Sequence, residues 1–331
     1  MRIHITITVG LLTVFCLFVS TVGAVDVGFN LKIQKMFGHT TFNIEVTEYF
    51  PEIGSDVKLK SELEFPLDVF LVGTSMKLEG KFKTGEHWGM NLGASKSVND
   101  PSGYMKDSDW IIVPEYDIRE KFSYTKSDAE LKALLVYVEG YFGLVTRPDF
   151  ILNLLGGYEF QDYSFEIFGL RGWQGIQGYD VVHFDTLQGV NVLDYDVTYH
   201  IPYGGLAAYV KFSPRVSLGA RGAYSPRVSA KDHDDHLLRN KTAEGDCSGW
   251  ALKAGTDLRW IIFETSNRSN WSLVLGVDYM KISTKGTQDQ SWYGDDPASP
   301  EEDDTGLRIP GIKEKILSNQ TRIQAQIGYK F

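Results

Sequence analysis

The last ten residues of the chain, 322–331, read Arg-Ile-Gln-Ala-Gln-Ile-Gly-Tyr-Lys-Phe. Apolar and polar side chains alternate along this stretch with a period of two. In an extended strand, this places the two kinds of side chain on opposite faces. One face is apolar and ends in an aromatic residue, and the other carries Arg, Gln and Lys. The stretch therefore predicts a β-strand that faces an apolar environment on one side and a polar one on the other.

The same alternation recurs along the chain, for example over residues 57–71 and 250–262. In 57–71 the apolar face is formed by Val57, Leu59, Leu63, Phe65, Leu67, Val69 and Leu71. We predict ten strands from this pattern, roughly at residues 28–48, 57–82, 88–98, 127–145, 150–175, 192–212, 216–238, 249–263, 271–294 and 315–331. A soluble β-sandwich would alternate in the same way, so alternation alone does not identify the architecture.

Three further features favour a transmembrane β-barrel over a sandwich. Residues 1–24 combine Arg2, an apolar run and the small-residue sequence Val22-Gly23-Ala24, which predicts a secretory signal peptide. The predicted connections alternate between short and long, as in outer-membrane barrels. The last predicted strand ends in Phe331, and this strand must pair with the first because lipid tolerates no open sheet edge.

The predicted long connections are Tyr49–Asp56, Asn99–Lys126, Ile176–Gly189, Arg239–Ser248 and Asp295–Lys313, and the short ones are Lys83–His87, Thr146–Asp149, Ser213–Arg215 and Glu264–Asn270. We expect the long connections outside the cell. Residues 25–331 then form a single barrel domain.

Charge and cysteine content narrow the range of functions. The formal net charge of −10 argues against nucleic-acid binding, which requires basic surfaces, and is compatible with attraction of cationic substrates. Outside the predicted signal peptide, Cys247 is the only cysteine, which excludes an internal disulfide and a CxxC metal site. Cys247 follows a polar run without a cation that would activate its thiol, so we interpret it as a structural residue.

Two acidic stretches are the candidate functional residues. The first contains Asp107 and Asp109 in a predicted outer loop, and the second contains Asp232, Asp234 and His236 near the outer end of a predicted strand. Asp234 could orient His236, which would then act as general base toward a water held from the other side by Asp107 or Asp109.

A metal site is the competing interpretation. His233 and His236 are three residues apart, which puts them on opposite faces of a strand, whereas zinc requires converging ligands. A second acidic run, Asp295 to Asp304, is interpreted as a solvated loop tip, with attraction of cationic peptides as the alternative. We predict neither a metal nor another cofactor.

These motifs resemble the omptin family, ten-stranded outer-membrane endopeptidases of Gram-negative bacteria. The family's Asp-x-Asp-Trp segment corresponds to residues 107–110, and its Asp-x-His corresponds to residues 234–236. Weaker similarity covers Gly157-Tyr158, residues 163–165, 202–206 and 328–331. The resemblance implies that Asp107, Asp109, Asp234 and His236 are catalytic, and that Asp232 receives a basic side chain of the substrate.

The chain departs from the family pattern at three positions. The second acid of the substrate pocket falls at Phe42, so a preference for basic residues is not carried over. The arginines that contact lipopolysaccharide fall at Asp162 and Thr198, so lipopolysaccharide is only a candidate activator.

In the strand that carries His236, regular alternation of inward and outward side chains conflicts with the expected inward direction of His236. Regular alternation from Leu218 and Tyr224 would point Asp234 and His236 to the outside of the barrel. We therefore predict an irregularity between Pro226 and Asp234, because bulges gather beside active sites and strands accept proline at bulges.

The sequence thus predicts an all-β fold, a ten-stranded antiparallel transmembrane β-barrel that extends above the membrane on the extracellular side. The expected function is an endopeptidase of the Gram-negative outer membrane, with membrane lipid and peptide or protein substrates, cationic ones among them, as partners. The alternative is a non-enzymatic barrel: an adhesin, a structural protein or a small pore.

Overall fold

The computed structural model describes residues 22–331 except 52–53, 84, 176–180, 266–268, 298 and 300–302. Residues 1–21 of the predicted signal peptide and Glu301 and Glu302 of the acidic run lie outside the described residues. Within the described ranges, no helix is long and apolar enough to cross a bilayer.

The described chain is almost entirely β-strand. The strands are β1 (Val22–Phe50), β2 (Ser55–Pro66), β3 (Phe70–Phe82), β4 (His87–Ser97), β5 (Met105–Val113), β6 (Ile118–Thr146), β7 (Phe150–Gln174), β8 (Val182–Lys211), β9 (Val216–His236), β10 (Lys241–Glu264), β11 (Asn270–Trp292) and β12 (Arg308–Lys330).

These segments occupy ten positions in one closed antiparallel sheet. β1 pairs with both β2 and β3, and β6 pairs with both β4 and β5, so each of these two pairs of segments acts as one interrupted barrel strand. β12 pairs with β11 and with β1, from Gly28 opposite Lys330 to Glu45 opposite Lys313. This pairing closes the ring, and the predicted ten-stranded barrel is confirmed.

Several strands are far longer than a bilayer requires. β1 and β6 each contain 29 residues, whereas about ten residues of a tilted strand cross the hydrocarbon. On the outer face of β6, exposed Leu134, Val136 and Val138 give way to Lys132, which forms an ion pair with Glu166. This change from apolar to charged side chains marks the upper edge of the lipid-facing belt and leaves the rest of the barrel outside the membrane.

The barrel interior has an aromatic layer beneath its outer mouth. The rings of Phe65 and Tyr195 stack with centroids 4.3 Å apart, and Phe165 and Phe42 pack against them. All four side chains are at most 1% exposed. This layer separates the outer mouth from the lower interior.

The lower interior is polar and lies within the lipid-facing belt. Glu159 is bound by Lys253 Nζ at 2.7 Å and by Arg322 Nη1 at 2.8 Å, and Arg221 Nη2 binds Asp278 at 2.6 Å. A cavity of about 360 Å³ lies beside this network and reaches the end of the barrel that carries the short turns. The charges of these five side chains are thus paired with each other, which offsets the cost of burying them away from water.

The predicted short turns are confirmed, but the outer connections are shorter than predicted. Residues 105–113 and 118–126, predicted as part of a long loop, form β5 and the start of β6. β8, β10 and β12 likewise begin at residues 182, 241 and 308, inside predicted connections. Above the membrane both faces of a strand can carry polar residues, so alternation weakens there and the strand signal is lost.

The predicted irregularity in β9 is present. Ser225 pairs with Ala251 and Val228 with Gly249, so Pro226 and Arg227 together oppose the single residue Trp250. The extra residue reverses the side-chain parity. Tyr224 is 50% exposed on the outer face, whereas Val228 and Ala230 are fully buried. The even-numbered positions beyond this bulge therefore face the barrel interior.

Candidate active site

Asp234 and His236 meet at the outer end of β9. The bulge at residues 226–227 turns both side chains inward, and His236 Nε2 lies 3.1 Å from Asp234 Oδ2. Asp234 is 2% exposed, while the imidazole is 26% exposed and faces the mouth of the barrel. A buried carboxylate thus holds one nitrogen of a ring whose other nitrogen is available to a substrate or a water.

Asp107 and Asp109 lie on β5, not in the loop where the sequence placed them. Asp109 is opposite Ser61 on β2 and Ser123 on β6. Burial, and next the carboxylate of Asp109, raise the pKa of Asp107 to about 8. Burial also raises the pKa of Asp109, against hydrogen bonds from Ser61 and Ser123 that lower it. The pair therefore retains a proton more readily than two solvated carboxyls would.

The two halves of the site interact across the mouth. The negative charge of Asp234 contributes to the raised pKa of Asp107, and His236 acts on Asp109 in the opposite sense. One oxygen of Asp107 and one of Asp234 are buried without a hydrogen-bond partner among the described residues. The four predicted catalytic side chains are thus brought into one electrostatically coupled group.

Asp232 is also buried at the site and has an acidic neighbour that the sequence did not reveal. The carboxyl of Asp232 lies beside that of Glu314 on β12, and one oxygen of each lies next to Gly245. Burial, then the charge of Glu314, raise the pKa of Asp232 to about 9, and burial raises that of Glu314 to about 7. A Cβ at Gly245 would collide with both carboxyls, so glycine leaves them room to meet.

The alternation of inward and outward side chains along β12 could have indicated that Glu314 faces the barrel interior. It shares the inward face of β12 with Ile316, Ser318 and Gln320, all of which are buried. Phe42, at the position of the family's second acid, lies on β1 opposite Ile316 and is buried in the aromatic layer. Glu314 thus brings a carboxylate close to Phe42 from the neighbouring strand.

An ion pair between Arg239 and Asp296 stabilises the mouth of the barrel beside His236. Arg239 in the turn after β9 donates to Asp296 Oδ2 from Nε at 2.9 Å and from Nη2 at 2.8 Å. Trp292 Nε1 donates to the same oxygen at 3.3 Å. These bonds connect the β9–β10 turn to the connection after β11, so this part of the acidic run is buried and not a solvated tip.

The metal and cysteine interpretations concern His233, His236 and Cys247. Among the described residues, no three His, Cys, Asp or Glu side chains are grouped so that they could hold a metal ion. Cys247 is buried, and burial raises the pKa of its thiol well above the usual range, with Glu314 and Asp232 contributing. A thiol in this state is a poor nucleophile.

The two positions where the sequence lacks the family's arginines face each other on the outer surface. Thr198 Oγ1 donates to Asp162 Oδ1 at 2.8 Å. This pair offers no cation to a phosphate.

Comparisons with known proteins agree with the fold. A sequence profile of the omptin family matches residues 61–294. Among solved structures, the outer-membrane protease OmpT from Escherichia coli superposes with a TM-score of 0.71 at 16% identity, covering 92% of this chain and 97% of that one. The outer-membrane protein OprG from Pseudomonas aeruginosa gives a TM-score of 0.31 at 11% identity, with 93% and 96% covered. The comparison with curated protein sequences finds no match.

Proposed function

Because the chain belongs to the omptin family, it is a β-barrel of the Gram-negative outer membrane, and we propose that it is an endopeptidase acting at the extracellular mouth of this barrel. The observation that carries the proposal is the contact between Asp234 and His236, which a bulge in β9 turns into the mouth. A regular strand would have pointed both side chains outward.

The proposed reaction begins with a water between the two halves of the site. His236 takes a proton from this water as the oxygen attacks the scissile carbonyl carbon, and Asp234 stabilises the imidazolium that forms. His236 then returns the proton to the leaving amine as the C–N bond breaks. Since Asp234 holds Nε2, the proton is carried on Nδ1.

Asp107 and Asp109 would hold the attacking water from the opposite side. With its pKa raised to about 8, Asp107 retains a proton at neutral pH more readily than a solvated carboxyl does. A carboxyl and a carboxylate side by side can donate one hydrogen bond and accept another, which fixes the orientation of a water.

We further propose that Asp232 and Glu314 form the substrate-binding acid pair. Neither carboxyl has a basic partner among the described residues, and three of their four oxygens are buried without a hydrogen-bond partner there. A lysine or arginine side chain of the substrate would supply the missing positive charge. Lipopolysaccharide remains a candidate activator and belongs in the assay as a variable.

The test is cleavage of a peptide mixture by the refolded barrel, with and without lipopolysaccharide, followed by mass spectrometry of the products. We expect internal cuts, and we expect Asp234→Asn to remove them. Asp235→Asn is the matched control, since Asp235 is the next residue and bonds Tyr293 instead of His236. An active Asp234→Asn variant, or a wild-type barrel that cuts no peptide under either condition, would refute the proposal.

A further inference from the structure

Lys241 is a buried cation at the site that none of the motifs includes. It is the first residue of β10, and the sheet register places it directly opposite His236 on β9 and Trp292 on β11. Side chains at directly opposed positions of an antiparallel pair lie on the same face, with Cβ atoms about 5 Å apart. Lys241 is 5% exposed, and buried Ala243, Gly245 and Cys247 show that this face of β10 is the inner one.

The ammonium group of Lys241 lacks a carboxylate partner. Within the part of the chain that the structure describes, it forms no ion pair, and its recorded contact is the ring of Trp292, with the centroid 5.7 Å from Nζ. The residue is nonetheless not completely sealed from solvent, because 5% of its surface stays exposed. Burying a lysine without a counter-charge costs folding free energy. We therefore expect Lys241 to have a function at this position.

The surroundings of Lys241 are those of the proposed reaction. The groups that act on its charge are Arg239 in the adjoining turn, Asp234 on β9, Asp296 after β11 and Asp107 on β5. It therefore lies within electrostatic range of both halves of the site while binding neither half directly.

We propose that Lys241 is a catalytic residue whose ammonium donates a hydrogen bond to the carbonyl oxygen of the scissile peptide as that oxygen becomes negative. This rests on the proposed endopeptidase function. When the water oxygen bonds to the carbonyl carbon, the π electrons move onto the carbonyl oxygen, and the water proton goes to His236. The ionised carboxylates at the centre would repel that oxygen. Lys241 is the cation placed beside the imidazole, where the charge develops.

A positioned donor of this kind acts on the transition state more than on the bound substrate. Replacing Lys241 should therefore lower kcat and leave KM nearly unchanged. A lysine that bound an acidic side chain of the substrate would instead change KM, and only for substrates that carry that side chain.

The experiment compares Lys241→Met, Lys241→Arg and Lys231→Met in the refolded barrel on one peptide that the wild type cuts. Lys231 is the matched control, because it lies on the outer face of β9 with 68% of its side chain exposed. We expect Lys241→Met to lower kcat by about 10²- to 10³-fold, the usual effect of removing one oxyanion donor, and Lys231→Met to match the wild type.

Lys241→Arg provides the second measurement, because it keeps a positive donor. Burial, followed by the charge of Arg239, lowers the pKa of Lys241. Its loss of a proton at alkaline pH should therefore lower wild-type kcat beyond the fall that deprotonation of Asp107 causes in every variant. A guanidinium keeps its charge, so Lys241→Arg should retain part of the activity and extend it to higher pH.

An unchanged kcat in a folded Lys241→Met variant overturns the inference alone and leaves the endopeptidase in place. A change in KM alone also overturns it, and assigns Lys241 to substrate binding. If the wild type cuts no peptide, the proposed function fails and the inference fails with it.

Discussion

Asp232 and Glu314 are neighbours in the folded barrel, but only Asp232 was predicted from the sequence. Asp232 was identified through the resemblance to the omptin family, since it lies on the same segment as Asp234 and His236. Glu314 lies on another strand, and only the closed sheet brings it to Asp232. Motifs on one segment were therefore predictable, whereas a pair formed by two distant segments was not.

This acid pair makes stability depend on pH. Asp232 has a pKa of about 9 in the folded barrel against 3.8 for the free group, so the folded state holds a proton that the unfolded state releases. The associated stability is fully present below pH 3.8 and is lost as the pH rises toward 9. Asp232→Asn cannot ionise, so its melting temperature should fall less than that of the wild type between pH 5 and pH 9.

The measurement is thermal unfolding of the detergent-refolded barrel at both pH values. At pH 9 we expect the variant to be more stable than the wild type by about 1–3 kcal/mol, the cost of an unsatisfied buried polar group. Asp246→Asn, with 72% of its side chain exposed, should follow the wild type. Parallel pH curves for Asp232→Asn and the wild type would contradict the assignment.

The bulge in β9 turns the side chains of Asp234 and His236 into the barrel mouth. The sequence predicted it, because the inward direction needed by His236 conflicted with the outward direction of Leu218 and Tyr224. Its position at Pro226 and Arg227 follows from the register. The extent of β5 and of the start of β6 could not be predicted, because strands outside the membrane lack a strictly apolar face.

Cysteine labelling tests the direction of side chains beyond the bulge. In a Cys247→Ala background, Lys231→Cys should react with a membrane-impermeant thiol reagent, because position 231 faces outward. Ala230→Cys should be protected, because Ala230 is fully buried. The reverse pattern would mean that β9 continues without a bulge and that His236 faces away from the mouth.

The whole barrel joins an outer site to a lipid-embedded body that is held together by paired charges. The closed ring was predictable, because a membrane sheet without edges must close. The partners inside were not predictable, since Glu159, Lys253 and Arg322 lie on three separate strands. With an aromatic layer between this network and the mouth, the structure favours a stable support for the site over a pore.

The interior network predicts a large loss of stability when its central acid is neutralised. Glu159→Gln leaves two buried cations without a counter-charge, which should cost about 3–5 kcal/mol in unfolding free energy. Glu166→Gln is the control, because its ion pair with Lys132 lies on the outer surface. Urea unfolding of both variants in lipid vesicles measures the difference. Equal stabilities would show that the network does not support the barrel.

The proposed endopeptidase requires His236, and the decisive measurement is the rate of peptide cleavage by His236→Ala beside His233→Ala. The two histidines lie on the same strand, with His236 turned into the mouth against Asp234 and His233 on the opposite face. We predict that His236→Ala lowers kcat by about 10²- to 10⁴-fold, as expected for loss of a general base, and that His233→Ala cleaves at the wild-type rate. Wild-type cleavage by a folded His236→Ala barrel would contradict the account.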